Sequence, residues 1–311
     1  MKQDKLLVYL NKAGENWVAD RFRKEWYKNN KSGTNIPSRA NLLWVISPWT
    51  WKSLDINKLK QKKVLCTIHH IDSNKLNKTY LEDFYERDKF VDSYHVPSIK
   101  SKEQLTELTD KKINHIPFWI DQKKFFTIKN RRNLRKKYNL SNEDYIVGSF
   151  QRDTEGHDLH SPKLSKGPDL FVENILKLKE EKNNLKVLLA GYRRQYIIRR
   201  LKEENINYVY IEKPNFKVLN ELYNILDFYI VSSRIEGGPQ AILECALLKI
   251  PIVSTDVGIA SEILHPNSIY DMNTFHQAQP EINHAHEKAN DFIIPNIMKS
   301  FNDLLESIHE G

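Results

Sequence analysis

SSRIEGGPQAILECALLKIPIVSTDVG, residues 232–258, decides how this chain is read. It opens directly behind a strand-like run, DFYIV (227–231). Gly237 and Gly238 then let the backbone turn sharply and come close to a ligand. Pro239 suits the first position of a helix, so a helix is expected from Pro239 to about Lys249, with the strand PIVST (251–255) after it. The first N–H groups of that helix, Gln240 among them, and its dipole point back at the strand end, a ready site for a pyrophosphate. Glu236 precedes the turn, and Glu244 lies five residues into the expected helix, roughly 7.5 Å along its axis. A phosphate at the helix tip then has a carboxylate on either side. Carboxylates are strong acceptors for sugar and ribose hydroxyls. Taken alone, EGGP reads more readily as a tight turn with two solvent-facing glutamates. Ser232–Ser233 before it, and the strand and turn after it, favour the binding site.

Working outward, short β-like runs alternate with amphipathic segments. KLLVYL (5–10), NLLWVIS (41–47), KVLCTIH (63–69), DSYHV (92–96) and KINHI (112–116) form a first series. A helical stretch is expected at about 16–29. DYIVGSF (144–150), LKVLLA (185–190), NYVYI (207–211), DFYIV and PIVST form a second series, with helices at 168–181 and 216–226 between them. Alternation of this kind predicts parallel sheets covered by helices, and two series predict two Rossmann-like lobes. Pro117 marks the break, because proline cannot donate to a strand ladder. Residues 272–284 are polar and read as loop. The stretch 285–309 has helical apolar spacing, with Pro295 expected to kink or restart it.

A chain of 311 residues is long enough for two cores, and 40% hydrophobic with 28% charged residues is the balance of a soluble globular protein. No apolar run approaches the length of a membrane span. The N-terminal apolar stretch lacks the marks of a signal peptide, so a cytoplasmic protein is expected. Cys66 and Cys245 sit in apolar runs and read as buried free thiols. The formal charge of +8 favours anionic partners. The densest basic run, KNRRNLRKK (129–137), reads as a solvated helix face, or else as a patch for peripheral docking on an anionic membrane at its inner face. No helix-turn-helix, zinc-finger or RNP-like motif supports specific nucleic-acid binding. No metal constellation stands out. His276, His284 and His286 lie in the polar stretch and read as solvated.

The 232–258 segment resembles the EX7E signature of the retaining glycosyltransferase family four, the group-1 transferases with the GT-B fold. Other landmarks fall in the same order. IPFWIDQKKFF (116–126) resembles the family's inter-lobe segment, with Phe118 and Trp119 where Asn-Gly is usual. GSFQRDTEG…SKGPDLF (148–171) resembles the block that opens the second lobe. VLCTIHHID (64–72) resembles the end of a first-lobe strand, and NKAGENWVADRF (11–22) the glycine-bearing loop after strand one. The resemblance covers about residues 5–265.

The resemblance implies an α/β GT-B architecture of two Rossmann-like lobes whose parallel sheets face a central cleft. The acceptor-side lobe would be 1–120, with the helix at 285–311 crossing back onto it. The nucleotide-sugar lobe would be 121–284. It implies transfer of a hexose-type sugar from a nucleoside-diphosphate sugar to a hydroxyl acceptor, glycan or lipid-linked, with retention and with neither cofactor nor metal. Arg152 and Lys166 map to the family's diphosphate cations, which would stabilise charge developing on the leaving group. The stretch between them, 153–165, is long and reads as a loop over the donor. Glu236 maps to the carboxylate near the donor sugar and Glu244 to that holding the ribose. Gly237, Gly238, Pro239 and Gln240 map to the diphosphate-binding turn, and Gly14 to the loop that approaches a phosphate. His69 maps to a histidine lining the reaction centre; His70 stands where aspartate is usual. SPWTW, with Trp49 and Trp51, follows a strand and could face the ligand, where aromatic faces suit sugar rings, although core packing is the commoner use. Two other readings remain open: a GT-B epimerase or hydrolase, and a non-catalytic basic binding protein on the same fold.

Overall fold

The computed structural model describes residues 5–14 and 18–311. Its chain divides into two compact units, residues 1–119 with 294–311, and residues 120–293.

The first unit carries a five-stranded parallel sheet. Its strands are β1 (Val8–Leu10), β2 (Leu42–Val45), β3 (Lys63–Thr67), β4 (Ser93–Val96) and β5 (Lys112–His115), in that spatial order. Helices α1 (Val18–Asn29), α2 (Ile56–Gln61), α3 (Lys78–Asp88) and α4 (Ile99–Thr106) intervene. The first residues of the helix expected at 16–29 lie outside the described ones. Between α1 and β2 the chain visits the far side of β1: Val8 N–H donates to Ser32 O at 2.8 Å, and Thr34 N–H to Val8 O at 2.9 Å. It then returns to the other side of β1 to form β2. Strand order therefore reverses at β1–β2, and ligands of open α/β sheets bind where order reverses, beyond the carboxyl ends of the strands.

Because strand side chains alternate, each strand serves two cores. Leu43, Val45, Val64, Cys66, Tyr94 and Val96 pack on one face with Leu59, Phe84 and Leu105 from α2, α3 and α4. The opposite face is made of rings. Trp44 meets Trp26 edge-on at 5.3 Å and stacks on Phe301 at 5.5 Å. Trp44 Nε1–H donates to Thr67 Oγ1 at 2.8 Å. An indole nitrogen can only donate, so the Thr67 hydroxyl turns its own proton to His95 Nδ1, 3.0 Å away. His95 Nε2–H then donates to Ile116 O at 2.7 Å. Burial holds the His95 imidazole neutral, with its pKa lowered to about 3. Phe118 and Trp119 belong to this ring core. Phe118 stacks on Phe22 at 4.0 Å, and Trp119 Nε1–H donates to Glu25 Oε2 at 2.8 Å.

The second unit holds a six-stranded, all-parallel sheet. After α5 (Arg131–Lys137) come β6 (Tyr145–Ser149), α6 (Pro168–Glu181), β7 (Leu185–Ala190), α7 (Gln195–Glu203), β8 (Tyr208–Ile211), α8 (Phe216–Asn224), β9 (Phe228–Val231), α9 (Gln240–Leu248), β10 (Ile252–Thr255), α10 (Ala260–Ile263) and β11 (Ile269–Tyr270). The spatial order is β11-β10-β9-β6-β7-β8, so order reverses between β6 and β9. Ile146, Leu188 and Ala190 face one helical layer, Val147, Val187 and Leu189 the other. Both faces are covered, which is why these strands read as continuous apolar runs.

The fresh start expected at Pro295 is present: the stretch 285–309 is two helices, α11 (Ile282–Ala289) and α12 (Met298–Glu310), separated by a cis Ile294–Pro295 bond. Other expectations are corrected here. Residues up to Ile293 belong with the second unit and those from Ile294 with the first. Part of the expected loop 272–284 is accordingly helical; His284 and His286 lie on α11, with His286 Nδ1 3.1 Å from Ala246 O. Nor is the basic run 129–137 simply a solvated face. Arg135 is buried and donates to the carbonyls of Ile225, Asn142 and Asp144 and to Asp227 Oδ2 at 2.6 Å. Arg131 takes Asp227 Oδ1 at 2.7 Å, and Lys137 takes Glu221. Lys129, Arg132 and Lys136 are the cations of the run, besides Lys137, that stand exposed. Cys66 and Cys245 are buried free thiols, and burial pushes the Cys66 thiol up to about 11.

Candidate active site

The loops at the β6–β9 reversal carry most of the expected donor residues. Behind β9, residues 232–236 are laced to the segment 165–169. Arg234 and Ile235 N–H both donate to Ser165 O, at 2.9 and 3.0 Å. Ser232 Oγ donates to Gly167 O at 2.8 Å, and Arg234 forms a two-pronged pair with Asp169, both contacts at 2.7 Å. Gly167 sits at φ 57°, where a Cβ would fall 1.8 Å from Ser232 O. Only glycine permits that approach. Pro168 then starts α6 with its ring pre-set for the first turn.

This lacing brings Lys166 and Glu236 together. Lys166 Nζ is ion-paired to Glu236 Oε1, and both side chains are largely buried. Ser233 Oγ donates to Gln151 Oε1 at 3.1 Å and lies 3.4 Å from Glu236 Oε1; Gln151 Nε2–H reaches Lys166 O at 2.9 Å. Seventy residues separate Lys166 from Glu236 in sequence, and nothing in their local spacing announces the pair.

Gly258, at φ 53°, closes the turn after β10 onto this site; a Cβ there would stand 2.3 Å from Gly237 O. Among the described residues the left-handed glycines are Gly14, Gly156, Gly167, Gly191 and Gly258, so Gly237 and Gly238 make their turn without one. Pro239 is the N-cap of α9, and the helix begins at Gln240, one residue later than expected. Lys249 is its left-handed C-cap, at φ 58°.

Glu244 is 4% exposed on α9, and Tyr223 Oη donates to its Oε2 at 2.7 Å. Tyr223 is itself buried, edge-on to Phe150 at 4.8 Å. Sequence reasoning missed Tyr223 and Gln151; it singled out Ser232–Ser233 but not what Ser233 meets. The Ser233 pairing could have been suspected from SSRIE, while Tyr223 reads as one more apolar position of its helix.

Arg152 is exposed behind β6, with Nε–H donating to Thr154 O at 3.1 Å. Its neighbour Asp153 is buried and paired with the fully buried Arg194, 3.2 Å away. Asp153 also accepts the N–H groups of Tyr196 and Ile197 at the start of α7. Burial raises its carboxyl to about 6 against the opposing pull of Arg194. The loop 153–165 closes on itself: Thr154 bridges Pro162, and Lys163 N–H donates to Asp153 O at 2.8 Å.

In the first unit His69 follows β3. Its Nε2–H donates to Ile46 O at 2.8 Å, and its ring stacks on Phe118 at 5.5 Å. Burial holds it neutral, with its pKa lowered to about 4. His70 is exposed. Gly14 is exposed at φ 74°, and the N–H groups of Ala13 and Gly14 donate to Asp20 Oδ1 at 3.2 and 3.4 Å. The remainder of that loop, residues 15–17, lies outside the described ones. Of the SPWTW aromatics, Trp51 is 2% exposed and Trp49 45%. Among the described residues, no three His, Cys, Asp or Glu side chains group as a metal site, and no helix is long and apolar enough to cross a membrane.

A family model described as glycosyl transferases group 1 matches residues 130–300, more than half of the chain. The chain belongs to this family. Solved structures agree on the GT-B fold. An Anabaena protein, Alr3699/HepE, solved in complex with UDP, superposes with a TM-score of 0.74 at 14% identity, over 97% of this chain and 100% of that one. Sucrose-phosphate synthase from Thermosynechococcus elongatus gives 0.70 at 15% identity, over 93% and 77%. A glycosyltransferase from Rickettsia africae gives 0.67 at 18%, over 96% and 83%. At such identities these likenesses speak for the fold alone. No curated protein matches the chain by sequence. Family membership makes this group-1 transferase an enzyme of glycosyl transfer.

Proposed function

We propose that this group-1 transferase moves a hexose-type sugar from a UDP-sugar to a hydroxyl acceptor, with retention of anomeric configuration and without a metal ion. The observation that carries the reading is the Lys166–Glu236 pair, fixed at the strand-order reversal of the second unit beside the start of α9. The Anabaena relative was solved with UDP and with UDP-glucose, which supports uridine as the base.

In this reading the second unit, with Arg152, Lys166 and the turn Gly237–Gln240, takes the donor. A lysine has three donors, so Lys166 can keep Glu236 and still meet a phosphate oxygen. Arg152 supplies a second, exposed cation, and the two stand in for the divalent ion that a leaving diphosphate otherwise needs. Glu236 accepts from hydroxyls of the transferred sugar. Glu244, which accepts from Tyr223, holds the ribose. The acceptor oxygen bonds to the anomeric carbon on the face from which the phosphate leaves. The carbon–oxygen bond to the diphosphate breaks, and the acceptor proton passes to the departing phosphate oxygen. No protein base is needed. His69, neutral and in the first unit, belongs to the acceptor side, as do Gly14 and its loop.

Thermal unfolding with UDP, GDP, ADP, TDP and their sugars tests the reading, because a specific ligand stabilises the fold by mass action. UDP and a UDP-sugar are expected to raise Tm, and Lys166→Ala to abolish the rise. No response to either would sink the proposal. Product analysis separates transfer from epimerisation or hydrolysis, and EDTA is expected to leave turnover unchanged.

A further inference from the structure

Trp49 is the one ring of SPWTW that the first unit's core does not use. Trp51 is buried, with its Nε1–H on Asp83 at 3.2 Å, and Phe118 and Trp119 are in the ring core. Trp49 instead stands out at the carboxyl end of β2, beside the β1–β2 reversal. Its backbone is not loose. Asn11, buried at the end of β1, clamps the turn: its Nδ2 donates to Ser47 O at 2.8 Å and to Thr50 Oγ1 at 3.0 Å, and its Oδ1 accepts from Ser47 N–H at 3.0 Å. Thr50 Oγ1 in turn donates to Lys12 O at 2.9 Å. One exposed indole is thus carried on a turn fixed from both sides.

The Trp49 ring lies 5.6 Å from that of His69, tilted by 49°. His69 donates through Nε2 to Ile46 O, so Nδ1 carries the lone pair; among the described residues that nitrogen has no hydrogen-bond partner. An exposed aromatic face beside a fixed, half-buried acceptor matches a pyranose. The C–H face of such a ring lies on an indole, and a hydroxyl at its edge donates to a neutral nitrogen. A peptide or a lipid tail has no such pairing of an apolar face with an edge of hydroxyls.

We propose that Trp49 and His69 Nδ1 form the subsite for the acceptor, and that the acceptor is a sugar, its ring stacked on Trp49 and a hydroxyl donated to His69. This rests on the glycosyl-transfer reading, and the test keeps the two apart. Wild type, Trp49→Phe and Trp49→Leu are assayed with UDP-glucose and a panel of p-nitrophenyl pyranosides of glucose, galactose and N-acetylglucosamine, with glycerol and a serine peptide as non-sugar acceptors. Indole fluorescence on adding methyl pyranosides is followed in parallel, without donor. At least one pyranoside is expected to accept. Trp49→Leu is expected to raise its KM about tenfold or more, with Trp49→Phe close to wild type. The saccharide-dependent fluorescence change is expected to vanish in Trp49→Leu. Equal KM in wild type and Trp49→Leu would overturn the proposal, as would transfer to glycerol or peptide alone, or no pyranoside accepted while UDP still raises Tm. If UDP raises nothing, the donor reading falls by itself, and the fluorescence titration then decides the subsite: a change kept in Trp49→Leu, or none in wild type, overturns it.

Discussion

The two sheets bury their second face in different ways. In the first unit that face is a set of rings wired by Trp44, Thr67 and His95 into a hydrogen-bonded line ending on Ile116 O. In the second unit both faces are largely aliphatic, and the polar groups gather at the β6–β9 reversal. Aliphatic packing tolerates exchange as long as volume is kept, whereas a polar line fails if one member changes. The difference teaches that the first unit depends on particular side chains where the second depends on packed volume. The family model's match, 130–300, falls almost entirely in the second unit.

Acidification should break the comparison most strongly. His69 and His95 have folded pKa values lowered to about 4 and about 3. Below pH 6.5 the unfolded chain therefore takes up protons that the folded unit refuses. Their contribution is whole above about pH 6.5 and is lost as pH falls towards 4, with a slope approaching about 2.7 kcal/mol per pH unit for two such groups. Asp153 works oppositely in the second unit: its folded pKa is raised to about 6, so between about pH 4 and 6 acid favours the folded form. Urea unfolding at pH 7, 5.5 and 4.5, followed by the tryptophans that cluster in the first unit, should show that unit failing first. Equal loss in both units would refute the contrast.

Next in size is the donor site. Lys166→Ala and Glu236→Ala should each lower kcat by roughly 10²–10³-fold, about 3–4 kcal/mol, and also lower Tm, since each leaves a largely buried charge without its partner. Glu236→Gln, which keeps the shape, separates charge from position. Unchanged turnover in both Glu236 variants would remove that residue from the mechanism.

Arg135→Met should cost on the order of 3 kcal/mol in the second unit, because it strips Asp227 of a buried partner. Gly167→Ala should cost roughly as much, since its Cβ must displace the Ser232 carbonyl. Arg132→Gln, on the exposed side of the same basic run, should stay within about 0.5 kcal/mol. Chemical denaturation of the three variants ranks them, and a large effect from Arg132 would return the basic run to a structural role throughout.

Much of the fold is legible in the sequence. The alternation of strand and helix, the helix starting at Pro168, and the strand–turn–helix joint at 231–240 are local patterns, written by periodicity and by where proline and glycine fall. Glu236 and the 237–240 turn could be named because they lie at such a joint, whereas Arg152 and Lys166 are named only by the family resemblance. Four features were not legible, since each depends on a partner far along the chain. Lys166 meets Glu236 across 70 residues. Glu244 is covered by Tyr223 from another helix. Arg131 and Arg135 turn inward to Asp227. Trp49 and Trp51, two residues apart, divide between surface and core.

The EGGP segment by itself therefore determined that a helix start faces the end of a strand with a glutamate before it, because proline's fixed φ and helix-end geometry act over a few residues. Tertiary structure alone decided which strands lie side by side. It thus placed the reversals of strand order at β6–β9 and at β1–β2, because pairing between distant strands is a property of the sheet and not of any stretch of sequence.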